Sequence, residues 1–214
     1  MKKVVGVNGS PRKQWNTATL VKKALEGAES VGAHTKLVHL YDLNYKGCRS
    51  CFACKRKGNT CNGLCAAKDD LREVLAEILA SDVLILGSPI YFGDVTGEMR
   101  SFLERLLFPN ITYDEFGKSV FPGRIDCGFI FTMNCPERFV KEVHYDILFE
   151  HNARSLGILG GKCEILTSHE TWQFEDYSVM NAAMFNVEEK AKIRAERFPR
   201  DCQRAYELGA RLAS

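Results

Sequence analysis

Short apolar runs alternate along the chain with longer stretches in which apolar residues recur every three or four positions. Three continuous runs have the pattern of strands buried on both faces of a parallel sheet; they are residues 3–8, 83–86 and 128–131. Residues 163–166 supply a further strand. Residues 35–40 alternate polar and apolar side chains, which is typical of a strand near a sheet edge. The pattern therefore predicts five strands.

The stretches between these runs place their apolar residues on one helical face. The first helix is predicted to start near Asn16 or Thr17 and the second near Asp69 or Asp70, since these side chains are good N-caps. Pro199 must interrupt or restart the last helix. The predicted helices cover about residues 16–28, 71–79, 99–107, 138–156 and 187 onward.

Strands that alternate with helices indicate an α/β fold with an open parallel sheet covered by helices on both faces. We expect residues 1–214 to form a single domain with five strands in the order 2-1-3-4-5. Residues 44–70 would be a cysteine-rich insertion and residues 168–214 a C-terminal extension. In such a sheet, ligands bind outside the carboxyl ends of the strands where strand order reverses.

Composition and charge limit the classes of partner that the chain is expected to bind. The chain is 45% hydrophobic and 26% charged, with a formal net charge of +2, which is too slight to indicate nucleic acid binding. The N-terminus lacks the apolar core of a signal peptide, and no run of 18 apolar residues is present. We therefore expect a cytoplasmic protein with neither nucleic acid nor membrane as a partner.

Five of the nine cysteines lie between residues 47 and 70. In a reducing cytosol such clustering indicates metal binding or catalysis rather than disulfides. Cys48, Cys51 and Cys54 form a compact CxxCxxC run, followed by Cys61 and Cys65, and such runs hold iron–sulfur clusters with one further ligand. Zinc, which usually takes two separated CxxC pairs, is the next interpretation. Free or transiently oxidised thiols are the remaining one.

Two loops at strand ends carry candidate ligand-binding residues. The loop containing Ser10 and Arg12 leads into a helix N-terminus at Asn16 and Thr17, and so offers hydroxyls, a guanidinium and unpaired amides to a phosphate. The loop from Pro89 to Gly93 places aromatic side chains and a glycine where a flat ring would lie. A monophosphate site and a ring-binding loop at one switch point together indicate FMN.

The segments VNGSPRKQWNT and SPIYFGDVTGEMRSFLERL, with CxxCxxC followed by CAAKDD, resemble the iron–sulfur flavoprotein family, a branch of the flavodoxin-like, NADPH-dependent FMN reductase group. The resemblance covers residues 1–166, and TWQFEDY resembles the C-terminal aromatic segment of the family. It implies a flavodoxin-like fold that binds FMN, a [4Fe–4S] cluster, electron exchange with a ferredoxin-like donor, and homodimers or homotetramers.

Residue by residue, the resemblance assigns the phosphate, the ring and the cluster to three sets of positions. The phosphate loop corresponds to Ser10, Arg12, Asn16, Thr17 and Ala18. The isoalloxazine loop corresponds to Pro89, Ile90, Tyr91, Phe92 and Gly93, flanked by Thr132, Met133 and Asn134. The first three cluster ligands correspond to Cys48, Cys51 and Cys54.

The fourth ligand is where the chain departs from the family. Cys65 directly precedes the segment AAKDD, as the last cysteine of the family does, but it follows Cys54 after ten residues. Cys61 follows after six, which is nearer the spacing of the family. Local context favours Cys65, with Cys61 as the alternative.

Two functions are compatible with these assignments. The first is an electron-transfer flavoprotein that passes electrons between a cluster, FMN and a small acceptor such as oxygen, peroxide or a quinone. The second is a cluster-free NAD(P)H-dependent reductase of FMN or quinones. The basic run Lys55, Arg56 and Lys57 could steer an acidic electron carrier towards the cysteines.

Overall fold

The computed structural model describes residues 1–59 and 61–214. Its centre is a sheet of five parallel strands in the order β2-β1-β3-β4-β5, which confirms the predicted fold class and strand order. The strands are β1 (Lys3–Asn8), β2 (His34–His39), β3 (Val83–Pro89), β4 (Ile125–Thr132) and β5 (Gly160–Ser168).

Six α-helices accompany the strands within the described residues. They are α1 (Asn16–Ser30), α2 (Leu71–Leu79), α3 (Gly97–Leu107), α4 (Tyr145–Leu156), α5 (Val187–Glu196) and α6 (Phe198–Ala213). Pro199 stands in the first turn of α6, where a missing amide hydrogen is tolerated. None of the helices in the part of the chain described is long and apolar enough to cross a membrane.

Two apolar cores form because neighbouring strand residues point to opposite faces of the sheet. On one face, Val5, Leu84 and Phe129 pack with side chains of α2, α3 and α4. On the other face, Val4 and Ile85 pack with side chains of α1 and α6. The continuous apolar runs of the sequence reflect this burial on both faces.

Helices α1 and α6 approach each other closely through glycines. A Cβ atom on Gly27 would lie 1.9 Å from the carbonyl oxygen of Tyr206, and one on Gly209 would lie 1.7 Å from that of Ala24. Neither position can therefore carry a side chain without separating the helices. This contact fixes the C-terminal helix beside the helix that starts at the candidate phosphate loop.

Helix α4 begins later than the expected residue 138. Residues 137–139 form a short 3₁₀ turn, and His144 adopts a left-handed conformation with φ of 59°. A left-handed residue ends one turn and redirects the chain before the next helix begins. The apolar pattern of the sequence continues without interruption across this reversal, so the pattern did not reveal where one turn ends and α4 begins.

Helices α1 and α2 start where predicted, but the side chains expected to cap them make no capping hydrogen bond. Trp15, not Asn16 or Thr17, occupies the N-cap of α1. At α2 the carboxylate of Asp70 accepts a hydrogen bond from the Asn44 amide at 2.8 Å, and that of Asp69 pairs with Arg105. Asp70 thus occupies the N-cap of α2 as predicted, but its side chain holds the cysteine-rich insertion instead of the helix.

The ends of β1, β3 and β4 meet at one edge of the sheet. The Gly9 amide donates to the Gly87 carbonyl at 2.8 Å, and the Ile90 amide donates to the Thr132 carbonyl at 3.0 Å. The three loops singled out from the sequence are therefore neighbours, as the strand order requires.

Candidate cofactor sites

The first loop is a tight turn held by its own side chains. The Asn8 side chain accepts a hydrogen bond from the Ser10 amide at 3.2 Å and donates one to the Ser10 carbonyl at 3.0 Å. The Ser10 hydroxyl in turn accepts from the Arg12 amide at 3.2 Å. Ser10 is buried, so its hydroxyl has a fixed position at the end of β1.

The start of α1 offers free backbone donors to an anion. No acceptor among residues 1–59 and 61–214 lies within hydrogen-bond range of the amides of Asn16, Thr17 and Ala18. The Thr17 hydroxyl lies 2.8 Å from that of Thr132, across the edge of the sheet. Unpaired first-turn amides and the helix dipole together favour a phosphate at this position.

Two side chains assigned to the phosphate are held by the C-terminal segment. The Asn16 amide group donates to the Trp172 carbonyl at 2.7 Å, and the Arg12 guanidinium donates to the Gln173 carbonyl. The Trp15 indole donates to the same Trp172 carbonyl at 2.9 Å. The segment that resembles the aromatic tail of the family thus lies along the candidate phosphate loop.

Helix α5 completes this anchoring. Arg194 donates to the side-chain oxygen of Asn16 at 2.6 Å, so both ends of that side chain are engaged. For Asn16, the group left for an anion is the backbone amide. Sequence reasoning missed Arg194 because its partner lies 178 positions away and the helix that carries it has little amphipathic character.

The second loop is a two-residue reversal. The amides and carbonyls of Tyr91 and Asp94 bond reciprocally at 2.8 and 3.1 Å, and φ is 51° at Phe92 and 82° at Gly93. This is the geometry of a type I′ turn, in which the first central position suits Asn or Gly far better than Phe. The Phe92 side chain is fully exposed.

The third loop, residues 132–134, is held by a buried lysine that sequence reasoning also missed. Thr132 and Met133 are buried, and Asn134 accepts a hydrogen bond from the Lys190 ammonium at 2.6 Å. Lys190 is 6% exposed, and its burial lowers its pKa. The contact joins α5 to the loop flanking the proposed ring position.

The cysteine-rich insertion forms a pocket against the C-terminal half of α3. Cys48, Cys51, Cys54 and Cys65 all line this pocket, and Cys61 is not among the described residues that do. The other lining residues are apolar, small or charged: Gly47, Arg49, Phe52, Ala66, Ala67, Glu104, Arg105, Phe108 and Pro109. The structure thus brings together the CxxCxxC cysteines and Cys65.

Glu104 of α3 sets the entry into the CxxCxxC run. Its carboxylate accepts a hydrogen bond from the Cys48 amide at 2.9 Å. A Cβ atom on Gly47 would lie 2.6 Å from that carboxylate, so a side chain at this position would displace the Glu104 carboxylate.

Arg105 is the charged centre beneath the pocket. Its guanidinium forms a bidentate pair with Asp69 at 2.9 and 3.0 Å and donates to the Lys46 carbonyl at 2.8 Å. Its Nε donates to the Cys65 sulfur at 2.9 Å. Hydrogen bonds from Arg105 lower the pKa of Asp69, so this carboxylate stays ionised and the pair stays charged at neutral pH.

Structural surroundings account for Cys127, Cys163 and Lys55. Cys127 is buried, and burial raises its pKa and raises that of Cys163 to about 12, as expected of inert core thiols. The Lys55 ammonium donates to the carbonyls of Phe108 and Ile111. Lys55 therefore fixes the insertion to the end of α3 and is not a free steering charge.

Within residues 1–59 and 61–214, no three His, Cys, Asp or Glu side chains converge closely enough to hold one metal ion.

More than half of the chain matches a known protein family. The family model described as NADPH-dependent FMN reductase matches residues 2–123, a stretch that contains both phosphate and ring loops and all five clustered cysteines. The chain belongs to this family.

Among curated relatives of this FMN reductase family member are iron–sulfur flavoproteins of archaea. The protein of Methanocaldococcus jannaschii is 37% identical over 103 residues, which cover 48% of the chain and 51% of that protein. That of Methanosarcina thermophila is 29% identical over 103 residues, with 48% and 51% covered. The chain thus spans about half the length of the curated relatives it matches.

Solved structures match the family member along its whole length. An NAD(P)H:quinone oxidoreductase from Methanothermobacter marburgensis has a TM-score of 0.68 at 15% identity, covering 99% of the chain and 98% of that protein. An FMN-dependent NADH-azoreductase from Bacillus anthracis in complex with FMN has a TM-score of 0.64 at 13% identity, covering 99% and 100%. At these identities the likeness establishes the flavodoxin-like fold alone.

Replacing Phe92 by Asn should stabilise the FMN-free protein by about 1 kcal/mol, because Asn tolerates the left-handed conformation that Phe occupies at a cost. Urea unfolding measures the change. Phe116 is equally exposed and lies outside the left-handed region, so Phe116→Asn is the matched control and should give no gain. Equal effects of the two substitutions would show that the turn is not strained.

Proposed function

We propose that the protein is an FMN-dependent oxidoreductase that carries a [4Fe–4S] cluster on Cys48, Cys51, Cys54 and Cys65 and passes electrons between the cluster, FMN and a small acceptor such as oxygen, peroxide or a quinone. The observation that carries the proposal is the convergence of these four cysteines on one pocket, built on the helix that follows the candidate ring loop.

The residues at the carboxyl edge of the sheet fit FMN. The amides of Asn16, Thr17 and Ala18, with the Ser10 hydroxyl, would hold the phosphate, and the Arg12 guanidinium at the exposed rim would neutralise it. The ring would lie between the Pro89–Gly93 and Thr132–Asn134 loops. When bound, FMN supplies exchange between one- and two-electron chemistry.

The residues of the insertion fit an iron–sulfur cluster. Three of the four pocket cysteines are partly buried and Cys51 is exposed, so one side of the pocket faces a possible electron donor. Phe52, Phe108 and Pro109 line its apolar side and would limit the access of water. Burial and hydrogen bonds to sulfur are the properties by which a protein tunes such a cluster.

Helix α3 links the two sites. At its start, Thr96 donates to the Gly9 carbonyl at 2.7 Å and accepts from the Met99 amide at 3.3 Å, which ties the helix to the phosphate loop. Nine residues after Thr96, Arg105 lies beneath the cysteine pocket, roughly 13 Å along the helix axis. One rigid element therefore sets the separation of the two proposed cofactors.

The electron donor would be a ferredoxin-like protein or NAD(P)H. Arg56 and Lys57 are exposed beside Cys54 and carry the charge that would attract an acidic protein. The family description supports NADPH as an alternative donor. We further propose a homodimer or homotetramer, as the resemblance to iron–sulfur flavoproteins implies.

A second candidate is a cluster-free NAD(P)H-dependent reductase of FMN or quinones. The observation that favours it is the match of residues 2–123 to a family described by that FMN reductase activity. In this case the insertion would be a structural loop with free thiols.

Protein purified under anaerobic conditions should contain FMN, iron and acid-labile sulfide, with about four iron and four sulfide per chain for one [4Fe–4S] cluster. Elemental analysis, sulfide assay and absorbance measure these contents, and zinc is measured in parallel. Bound FMN without iron and sulfide would support the cluster-free reductase instead.

Replacing Arg12 by Ala should weaken FMN binding by ~1.5–3 kcal/mol, because it removes a charge-assisted hydrogen bond to the phosphate. This corresponds to about 10- to 150-fold in the dissociation constant, measured by fluorescence titration of the FMN-free protein. The neighbouring Lys13 pairs with Asp42 on the surface, so Lys13→Ala is the control for a general loss of charge. Equal affinities of the two variants would contradict the phosphate assignment.

Replacing Cys65 by Ala should remove most of the cluster iron and sulfide, whereas Cys61→Ala should retain both. The reason is that Cys65 shares the pocket with the CxxCxxC cysteines and Cys61 lies outside its described lining. Iron and sulfide per chain are measured after anaerobic purification, with FMN content as the control for folding. The opposite pattern would assign the fourth position to Cys61.

A further inference from the structure

One buried arginine contacts both ends of the cysteine-rich insertion and one of its sulfur atoms. The Arg105 side chain is 2% exposed. It holds Lys46 before the first cysteine, Asp69 after the last, and the sulfur of Cys65 between them. A salt bridge with Asp69 alone would not require Arg105 to contact the Cys65 sulfur. The contact with the sulfur therefore indicates a further role.

We propose that Arg105 is a positioning residue that fixes Cys65 as the fourth cluster ligand and raises the reduction potential of the cluster by donating its Nε–H to the Cys65 sulfur. The inference rests on the cluster proposed above. It goes beyond that function by naming a residue outside the ligand set that controls which cysteine binds and how readily the cluster accepts an electron.

The direction of the effect follows from charge. Reduction adds negative charge to a cluster and its thiolates, and a hydrogen bond to a ligand sulfur stabilises that added charge. The nearby Asp69 carboxylate offsets much of the arginine charge at longer range. The directed N–H of Nε, 2.9 Å from the sulfur, is then the main stabilising contact for the reduced state.

The geometry requires arginine rather than another cation. A guanidinium has five N–H donors in a planar fork, and here they serve a carboxylate, a carbonyl and a sulfur in three directions. Lysine at this position would keep the positive charge, but its ammonium is a point charge that cannot reproduce all of these contacts. Arg105→Lys therefore separates the hydrogen bond from the charge.

The chain supplies a matched control in Arg72. Its guanidinium also contacts Cys65, but at the backbone carbonyl and not at the sulfur. Arg72→Gln removes a positive charge close to the same ligand without touching the proposed hydrogen bond. A general electrostatic effect would appear in Arg72→Gln, which loses a charge, whereas the proposed hydrogen-bond effect would appear in Arg105→Lys, which keeps it.

The test uses the full chain purified anaerobically as wild type, Arg105→Lys, Asp69→Asn and Arg72→Gln. Iron, sulfide and FMN per chain are measured, followed by redox titration monitored by electron paramagnetic resonance. We expect Arg105→Lys to lower the potential and to lower cluster occupancy. Asp69→Asn should raise the potential, because the arginine charge is no longer offset, and Arg72→Gln should change neither quantity.

The outcomes separate the inference from the function it rests on. Wild-type protein without iron and sulfide would overturn the proposed cluster itself. A wild-type cluster with equal potentials and iron contents in Arg105→Lys and Arg72→Gln would overturn the role of Arg105. If Arg105→Lys does not fold, Asp69→Asn decides, because an unchanged or lowered potential in that variant contradicts the proposal.

Discussion

The buried guanidinium of Arg105 is the interaction on which the cysteine-rich insertion depends. Residues 44–70 contain only one short 3₁₀ turn among the positions described, so they cannot hold a shape through regular backbone hydrogen bonds. Burying a charge carries a large desolvation penalty that must be offset by several well-made contacts. Arg105 has those contacts at both ends of the insertion, and they bring its two ends together on α3.

Because α3 carries this anchor, the same helix connects the insertion with the flavodoxin-like sheet. Its first turn is tied to the phosphate loop through Thr96 and its last turn supports the cysteines through Glu104 and Arg105. A change at either end is transmitted along one rigid element rather than through a flexible linker. The cysteine loop therefore stands at a fixed distance from the edge of the sheet, as the proposed electron transfer between a cluster and FMN would require.

The sequence predicts the sheet well because its signals are local. Residues 83–86 and 128–131 are apolar without interruption, which is the direct consequence of burial on two faces. It predicts side-chain partners poorly, because these depend on the folded path of the chain. The contacts of Asn16 with Trp172 and Arg194 span 156 and 178 positions, and no periodicity reports them. The same limit explains why the Asp70 side chain, although it stands at the N-cap of α2, accepts its hydrogen bond from Asn44 and not from the helix.

The phosphate loop shows why an assignment by residue type has to be resolved to individual atoms. Asn16 and Arg12 match the family motif, yet their side chains are engaged by carbonyls of the C-terminal segment. The amides at the start of α1 remain, and these are the groups whose direction is fixed by the helix itself. An exposed guanidinium bonded to a neutral carbonyl can exchange that partner for a phosphate, which is the stronger acceptor. The proposed contact of Arg12 with the FMN phosphate would therefore couple binding of the cofactor to the position of residues 172–173, because both compete for one guanidinium.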